Sequence, residues 1–180
     1  MLCAKNVLTE RWTNLTRKEG GTVPRITEIV SKIEALHTLS EALACTRLHD
    51  ILMEDGPYTL FAPSEEAFSE LGTETLIALA ADGLSLTQLL QSHIVAGRLT
   101  LRDLGGLGLL ESLAGTELYV SYGPDGDSYI EEARVVRGDI EADNGVIHVV
   151  DLVILPFADE TVAQGSTQSA VTERGSELVA

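Results

Sequence analysis

Cysteine, lysine and aromatic side chains are all scarce in this chain of 180 residues, which has two Cys, three Lys, one Trp, four Tyr and three Phe. Two cysteines make no disulfide framework. Cys45 reads as a small buried hydrophobe in an Ala/Leu-rich helix, and Cys3 as a free thiol. No Cys or paired His stands at zinc-ligand spacing, so no metal is expected. So few aromatics argue against a stacking cleft for a small molecule. No segment approaches the ~18–20 apolar residues of a membrane-spanning helix. The longest apolar run, Val146 to Leu155, is interrupted by His148 and Asp151, so direct membrane insertion is not expected. The N-terminus, Met1 to Arg11, has no apolar h-region and no cleavage site. As written, the chain reads as cytoplasmic, and a signal removed upstream would make it extracellular. Without secretion, the sequon Asn14-Leu15-Thr16 has no meaning.

Positive charge is the other deficit. Twelve Lys+Arg face 28 Asp+Glu, a formal net charge of −16. That excludes nucleic-acid backbones and anionic membrane surfaces as natural partners. The motifs of common enzymes are missing too. There is no Gly-Lys-Ser/Thr phosphate loop and no Gly-x-Ser-x-Gly elbow. The Gly105-Gly106-Leu107-Gly108 stretch fails as a dinucleotide fingerprint because Glu111 stands where the third glycine belongs. Asp125-Gly126-Asp127 lacks the further ligands of a calcium loop and reads as a turn. The expectation is a chain without catalytic residues or cofactor.

What is present is a foldable core, with 44% hydrophobic residues. Residues 1–24 read as a flexible arm, with a weak helix over Val7 to Leu15. Residues 25–157 read as the domain, and the polar stretch 158–180 as a disordered tail. Ile26, Ile29, Val30, Ile33 and His37 recur with helical spacing. A second helix carries Leu39, Leu43, Leu48, Ile51 and Leu52 and stops at Gly56-Pro57. Tyr58 to Ala62 reads as a strand, Pro63 as a turn, and Ser64-Glu65-Glu66 as an N-cap followed by first-turn acids. Helices are expected through Phe68 and Leu71, over Thr73 to Ala81, and from a capping box at Ser85-Leu86-Thr87-Gln88 through His93. Strands are expected at Thr116 to Tyr122, Ser128 to Arg137 and Val146 to Leu155. The last is apolar on both faces and so central. Helices first and strands late predict an α+β fold.

Two of these segments carry a resemblance. Gly56 to Phe68 (GPYTLFAPSEEAF) and Ala142 to Pro156 (ADNGVIHVVDLVILP) resemble the two signatures of the fasciclin (FAS1, beta-Ig-H3) family, in order and spacing. Leu89 to Gly97 is similar to the segment between them that holds the family's Tyr-His pair, with Ser92 in place of the tyrosine. The resemblance implies a wedge of two β-sheets with several packed helices. It implies a non-enzymatic module that is monomeric alone and binds a protein partner. One specific version is an accessory subunit of a membrane-associated complex, such as the cyanobacterial CO2-uptake NADPH dehydrogenase. The alternatives it suggests are a secreted adhesion protein, or a carrier of an apolar molecule such as a carotenoid.

The candidate signature and interaction residues are Thr59, Phe61, Pro63, Ser64, His93, Asp139, Asn144, Gly145, His148 and Asp151. Most have a framework reading: Phe61 as core, Pro63 and Ser64 at a strand-to-helix corner, Asn144-Gly145 in a tight turn. His93 and His148 sit in apolar settings that suit histidines hydrogen-bonded to backbone. His148 and Asp151, three apart on a strand, point to opposite faces and form no dyad. Arg137-Gly138-Asp139 spells an integrin-type tripeptide, but Asp139-Ile140 matches an Asp-Ile of the family, leaving Arg and Gly as chance neighbours. Glu131, Glu132, Asp139, Glu141 and Asp143 read as a solvated acidic surface, with an acidic rim beside the second signature as the alternative.

Overall fold

The computed structural model describes residues 23–155. The arm with its helix over Val7 to Leu15, the sequon, Cys3 and the polar tail lie outside the described residues.

Three short helices come first: α1 (Ile26–Lys32), α2 (His37–Ala44) and α3 (Leu48–Ile51), with a 3-10 turn at Glu34–Leu36. Strand β1 (Tyr58–Pro63) follows, then helices α4 (Glu65–Leu71), α5 (Thr73–Ala81) and α6 (Gly83–Ser92). The rest is β2 (Ile94–Ala96), α7 (Leu101–Leu104), β3 (Leu109–Glu111), β4 (Glu117–Tyr122), β5 (Ser128–Ile130), β6 (Ala133–Ala142) and β7 (Gly145–Val150). The fold is α+β. The strands form one seven-stranded series in the order β2-β1-β7-β6-β5-β4-β3. Its two edges meet: Val95 bridges Ser112, and the Leu113 N–H donates to Ile94 O at 2.8 Å, so the sheet closes almost into a barrel. Closure leaves little open strand edge.

Strand β7 is the spine. It lies between parallel β1 and antiparallel β6, and all six of its residues are buried. Strand alternation then divides the core in two. Leu60, Ala62, Ile147 and Val149 face Ile26, Ile29, Leu39 and Leu43 of the helical layer. Phe61 and Val150 face the other way, with Leu104, Leu118, Ile130 and Ile154.

Several local expectations change in the fold. The first helix does not run on to His37. Ile33 is extended (φ −97°, ψ 110°), which turns Leu36 into the core and leaves His37 outside beside Glu41. The restart of α2 is capped from a distance: Glu65 accepts Thr38 N at 2.6 Å and Thr38 Oγ1 at 2.8 Å. Pro63 is the last residue of β1 rather than a turn, and Ser64 caps α4 by accepting Ala67 N at 3.3 Å. Asp82, not Ser85, caps α6 and accepts Leu84 N at 3.2 Å. A carboxylate three residues upstream, bonded to both the Ser85 hydroxyl and Leu84 N–H, outcompetes a hydroxyl for that place.

The stretch Ser128 to Arg137 is two strands, because Glu131 adopts φ 56° and turns the chain before β6 begins. The last strand ends at Val150 instead of Leu155. There Asp151 still donates its N–H to Arg134 O at 3.1 Å, and its carboxylate ends the pairing by accepting Arg134 N at 2.8 Å and Arg134 Nε at 3.2 Å. Cys45 is exposed at the end of α2 rather than buried. The acids of the second half form no single rim, as the solvated-surface reading has it: Glu131-Glu132 and Asp143 flank opposite ends of ten-residue β6, whose length is roughly 30 Å at strand rise.

Asn144 holds the two halves together. Its Oδ1 accepts Ile26 N at 3.0 Å, and its Nδ2 donates to Leu52 O at 2.6 Å and Glu54 O at 3.1 Å. Its own carbonyl accepts Tyr58 N at 3.0 Å. Asn144→Ala removes all three side-chain bonds and strands a buried N–H. It is expected to lower unfolding free energy by about 2–4 kcal/mol, read as a fall in urea midpoint at unchanged slope. Asn144→Asp should not rescue it, because a carboxylate faces two carbonyls where the amide donated.

Candidate functional site

The ten sequence-predicted residues fall into separate clusters. Thr59, Phe61, Pro63, Ser64, His93, Asn144, Gly145 and His148 are buried, Asp139 is exposed and Asp151 half-buried. A partner reaching the surface would not meet most of them.

Asn144 and Gly145 sit at the β6–β7 turn. A Cβ on Gly145 would lie 1.9 Å from Tyr58 O, so only glycine lets β7 approach β1 there. Thr59, His148 and Asp139 converge on the segment after β2. Thr59 Oγ1 donates to Gly97 O at 2.7 Å and accepts Leu99 N at 2.9 Å. His148 Nε2 donates to Leu99 O at 2.8 Å, and its Nδ1 accepts Asp139 N at 3.2 Å. The His148 ring stacks on Phe61, centroids 5.6 Å apart. Asp139, at φ 56° in a bulge of β6, accepts Leu101 N at 2.9 Å. A Cβ on Gly138 would strike Leu101 and His148. Arg137-Gly138-Asp139 is therefore part of a strand, and its aspartate caps α7.

His93 forms another cluster. Its Nδ1 donates to Leu89 O at 2.6 Å, and its Nε2 accepts Ile154 N at 2.9 Å. Ser92, in the place of the family's tyrosine, is fully buried, with its hydroxyl 2.7 Å from Leu89 O and 3.2 Å from Ile154 O. That hydroxyl is 3.5 Å from His93 Nδ1, too long for a serine activated by a base, and Nδ1 already carries the proton given to Leu89. Both imidazoles thus have both nitrogens committed to backbone. Burial drives the His93 pKa down to about 4 and lowers that of His148. These rings hold backbone in place and are not set up to shuttle protons. Among the described residues no group of three or more His, Cys, Asp or Glu could hold a metal ion. No described helix is long and apolar enough to cross a membrane.

Two surface features were not read from the sequence. One is a groove of about 1040 Å³ between α4, β4, the β5–β6 turn and the segment after β7. Leu71, Leu118, Ala133 and Leu152 to Leu155 form its apolar floor, and Glu70, Glu117, Glu131 and Glu132 its acidic wall. Glu131 is held there: its N–H donates to Tyr119 O at 2.7 Å and its Oε1 accepts Tyr119 N at 2.7 Å. The other is α5, nine residues long, of which none is buried. The run of acids at 131–132 was legible. That it would meet Glu70 and Glu117, remote in sequence, was not.

Comparison with known proteins agrees with this architecture. The fasciclin domain family profile matches residues 34–156. The chain is 38% identical over 133 residues to Uncharacterized protein sll1735 of Synechocystis sp., covering 74% of this chain and 98% of that protein. It is 33% identical over 147 residues to the pig transforming growth factor-beta-induced protein ig-h3, covering 82% of this chain and 22% of that protein. The FAS1 domain pair of the insect cell adhesion molecule Fasciclin I superposes with a TM-score of 0.65 at 18% identity, covering 74% of this chain and 51% of that one. The chain belongs to the fasciclin domain family.

The histidine burial has a measurable consequence. Unfolded histidine titrates near 6.5, whereas folded His93 does so at about 4. Its neutral form stabilises the fold fully above pH ~6.5. As pH falls from there towards 4 the unfolded chain takes up a proton that the folded chain refuses, and that stability is lost, by roughly 3 kcal/mol at most. Urea unfolding across pH 7.5 to 4.5 should show it. His93→Gln should flatten this part of the profile while lowering stability at pH 7.5.

Proposed function

We propose that this protein is a non-enzymatic interaction module that docks on a larger protein assembly through the corner formed by α5 and α6. The observation that carries the reading is α5 itself. Its sequence Leu76-Ile77-Ala78-Leu79-Ala80-Ala81 is apolar, yet it buries no residue. Ile77 is 65% exposed, and Leu84 at the start of α6 is 79% exposed. A nine-residue helix is marginal in water without tertiary packing. Between Thr73 and Ser92 the only charged residues are Glu74 and Asp82. In a chain of net charge −16, this is the place where another protein can approach without meeting repulsion. Such a patch suits an apolar protein surface.

The finer version is an accessory subunit, cytoplasmic and monomeric until it docks on a membrane-associated complex such as the cyanobacterial CO2-uptake NADPH dehydrogenase. What supports it is similarity along almost the whole length of a short cyanobacterial protein. The signature strands β1 and β7 offer no competing surface, since both are paired on two sides and their marker residues are buried.

The test is native electrophoresis of detergent-solubilised host membranes carrying tagged chain. Comigration with one large complex is expected. Ile77→Asp with Leu84→Asp should abolish it while leaving stability within about 0.5 kcal/mol, as both side chains are exposed. A chain that runs free in every fraction, or that is recovered at the outer cell surface, would sink the reading and favour secreted adhesion.

A further inference from the structure

The acidic groove is separate from the α5–α6 corner and raises its own question, namely what occupies it. Its apolar floor and four glutamates call for a segment that is basic and apolar at once. Among the described residues lining it there is no Lys, Arg or His to balance those carboxylates. Glu70, Glu117 and Glu132 are exposed.

The charge of the chain is distributed unevenly. Residues 23–155 carry seven Lys/Arg against 22 Asp/Glu. Residues 156–180 carry one against four. Residues 1–22 carry four against two, and are the one stretch of the three with net positive charge. They also hold the only tryptophan. Leu8, Trp12 and Leu15 recur at spacings that share one side of a helix, among Lys5, Arg11, Arg17 and Lys18.

We propose that the groove between α4, β4 and the segment after β7 is the docking site of the chain's own N-terminal segment, residues 1–18, with Trp12 on the apolar floor and the basic side chains against Glu70, Glu117 and Glu132. The C-terminal residues begin beside the groove, after Leu155, but their net negative charge is repelled by the same wall. Reach is sufficient. Pro24 is tied to the start of β7 by its carbonyl, which accepts Asp143 N at 3.0 Å. The groove lies past the other end of this six-residue strand, roughly 20 Å away along the sheet. With residues 13–15 at helical rise and 16–22 extended, the chain from Trp12 still spans about 28–30 Å. Trp12 alone can bury ~150–250 Å² there.

Because Trp12 is the only tryptophan, its emission reports its surroundings in the full chain without labelling. The full-length protein at low salt should emit to the blue of the synthetic peptide 1–18 and resist acrylamide quenching several-fold better. The spectrum should not depend on protein concentration. Glu70→Lys with Glu117→Lys and Glu132→Lys should shift the emission to that of the free peptide and restore its quenching. That variant should still unfold in one cooperative urea transition, its midpoint lowered only by the docking it has lost, since all three side chains are exposed and hold nothing else in place. A spectrum equal to that of the peptide in the unaltered chain overturns the proposal. So does a shifted spectrum that the glutamate changes leave alone, which would seat Trp12 elsewhere. A shift that grows with concentration, alongside a dimer by light scattering, also overturns it and assigns the groove to a second copy.

Discussion

One amide side chain ties this molecule together. Asn144 sits in the β6–β7 turn and reaches three backbone groups far from it in sequence, at Ile26, Leu52 and Glu54. Its carbonyl takes a fourth, Tyr58 N. The helical layer and the start of the parallel β1–β7 pair therefore share a single anchor. Only an amide can both accept from an N–H and donate to two carbonyls at once. Gly145 beside it completes the joint, because a side chain there would collide with Tyr58 O.

From that joint the rest of the architecture follows by alternation. With β7 locked beside β1, their odd and even residues face two different cores, one against the helices and one inside the closed sheet. The polar groups forced inside are then spent on backbone. Thr59, His93 and His148 each hold segments that have no ladder of their own, around residues 97–99 and 154. The most distinctive polar residues of the described chain are thus part of its framework. Their atoms are all engaged, and unpartnered they would be costly to bury.

On the surface two features contrast. The α5–α6 corner is apolar and almost uncharged, and the groove is apolar but walled by glutamates. They lie on an otherwise strongly acidic body. The first suits a protein surface and the second a basic segment. The acidic charge, which reads in sequence as a general solvating surface, becomes specific only where the chain brings Glu70 and Glu117 to Glu131 and Glu132.

By itself the sequence determined the elements with strong local causes. The helix Thr73–Ala81, the Ser64 cap with its following acids, the central strand from Val146 and the β6–β7 turn at Asn144-Gly145 are set by periodicity, capping chemistry and turn chemistry, which act over a few residues. The family was also legible, because its signatures are the framework residues. The tertiary structure decided whatever depended on a distant partner. Helix α2 restarts at His37 where Glu65 can cap it, β7 ends where Asp151 finds Arg134, and Glu131 turns the chain where Tyr119 receives it. The same holds for the groove, whose walls come from four places in the chain. Local sequence specifies what a residue can do, and only the fold specifies which groups come within its reach.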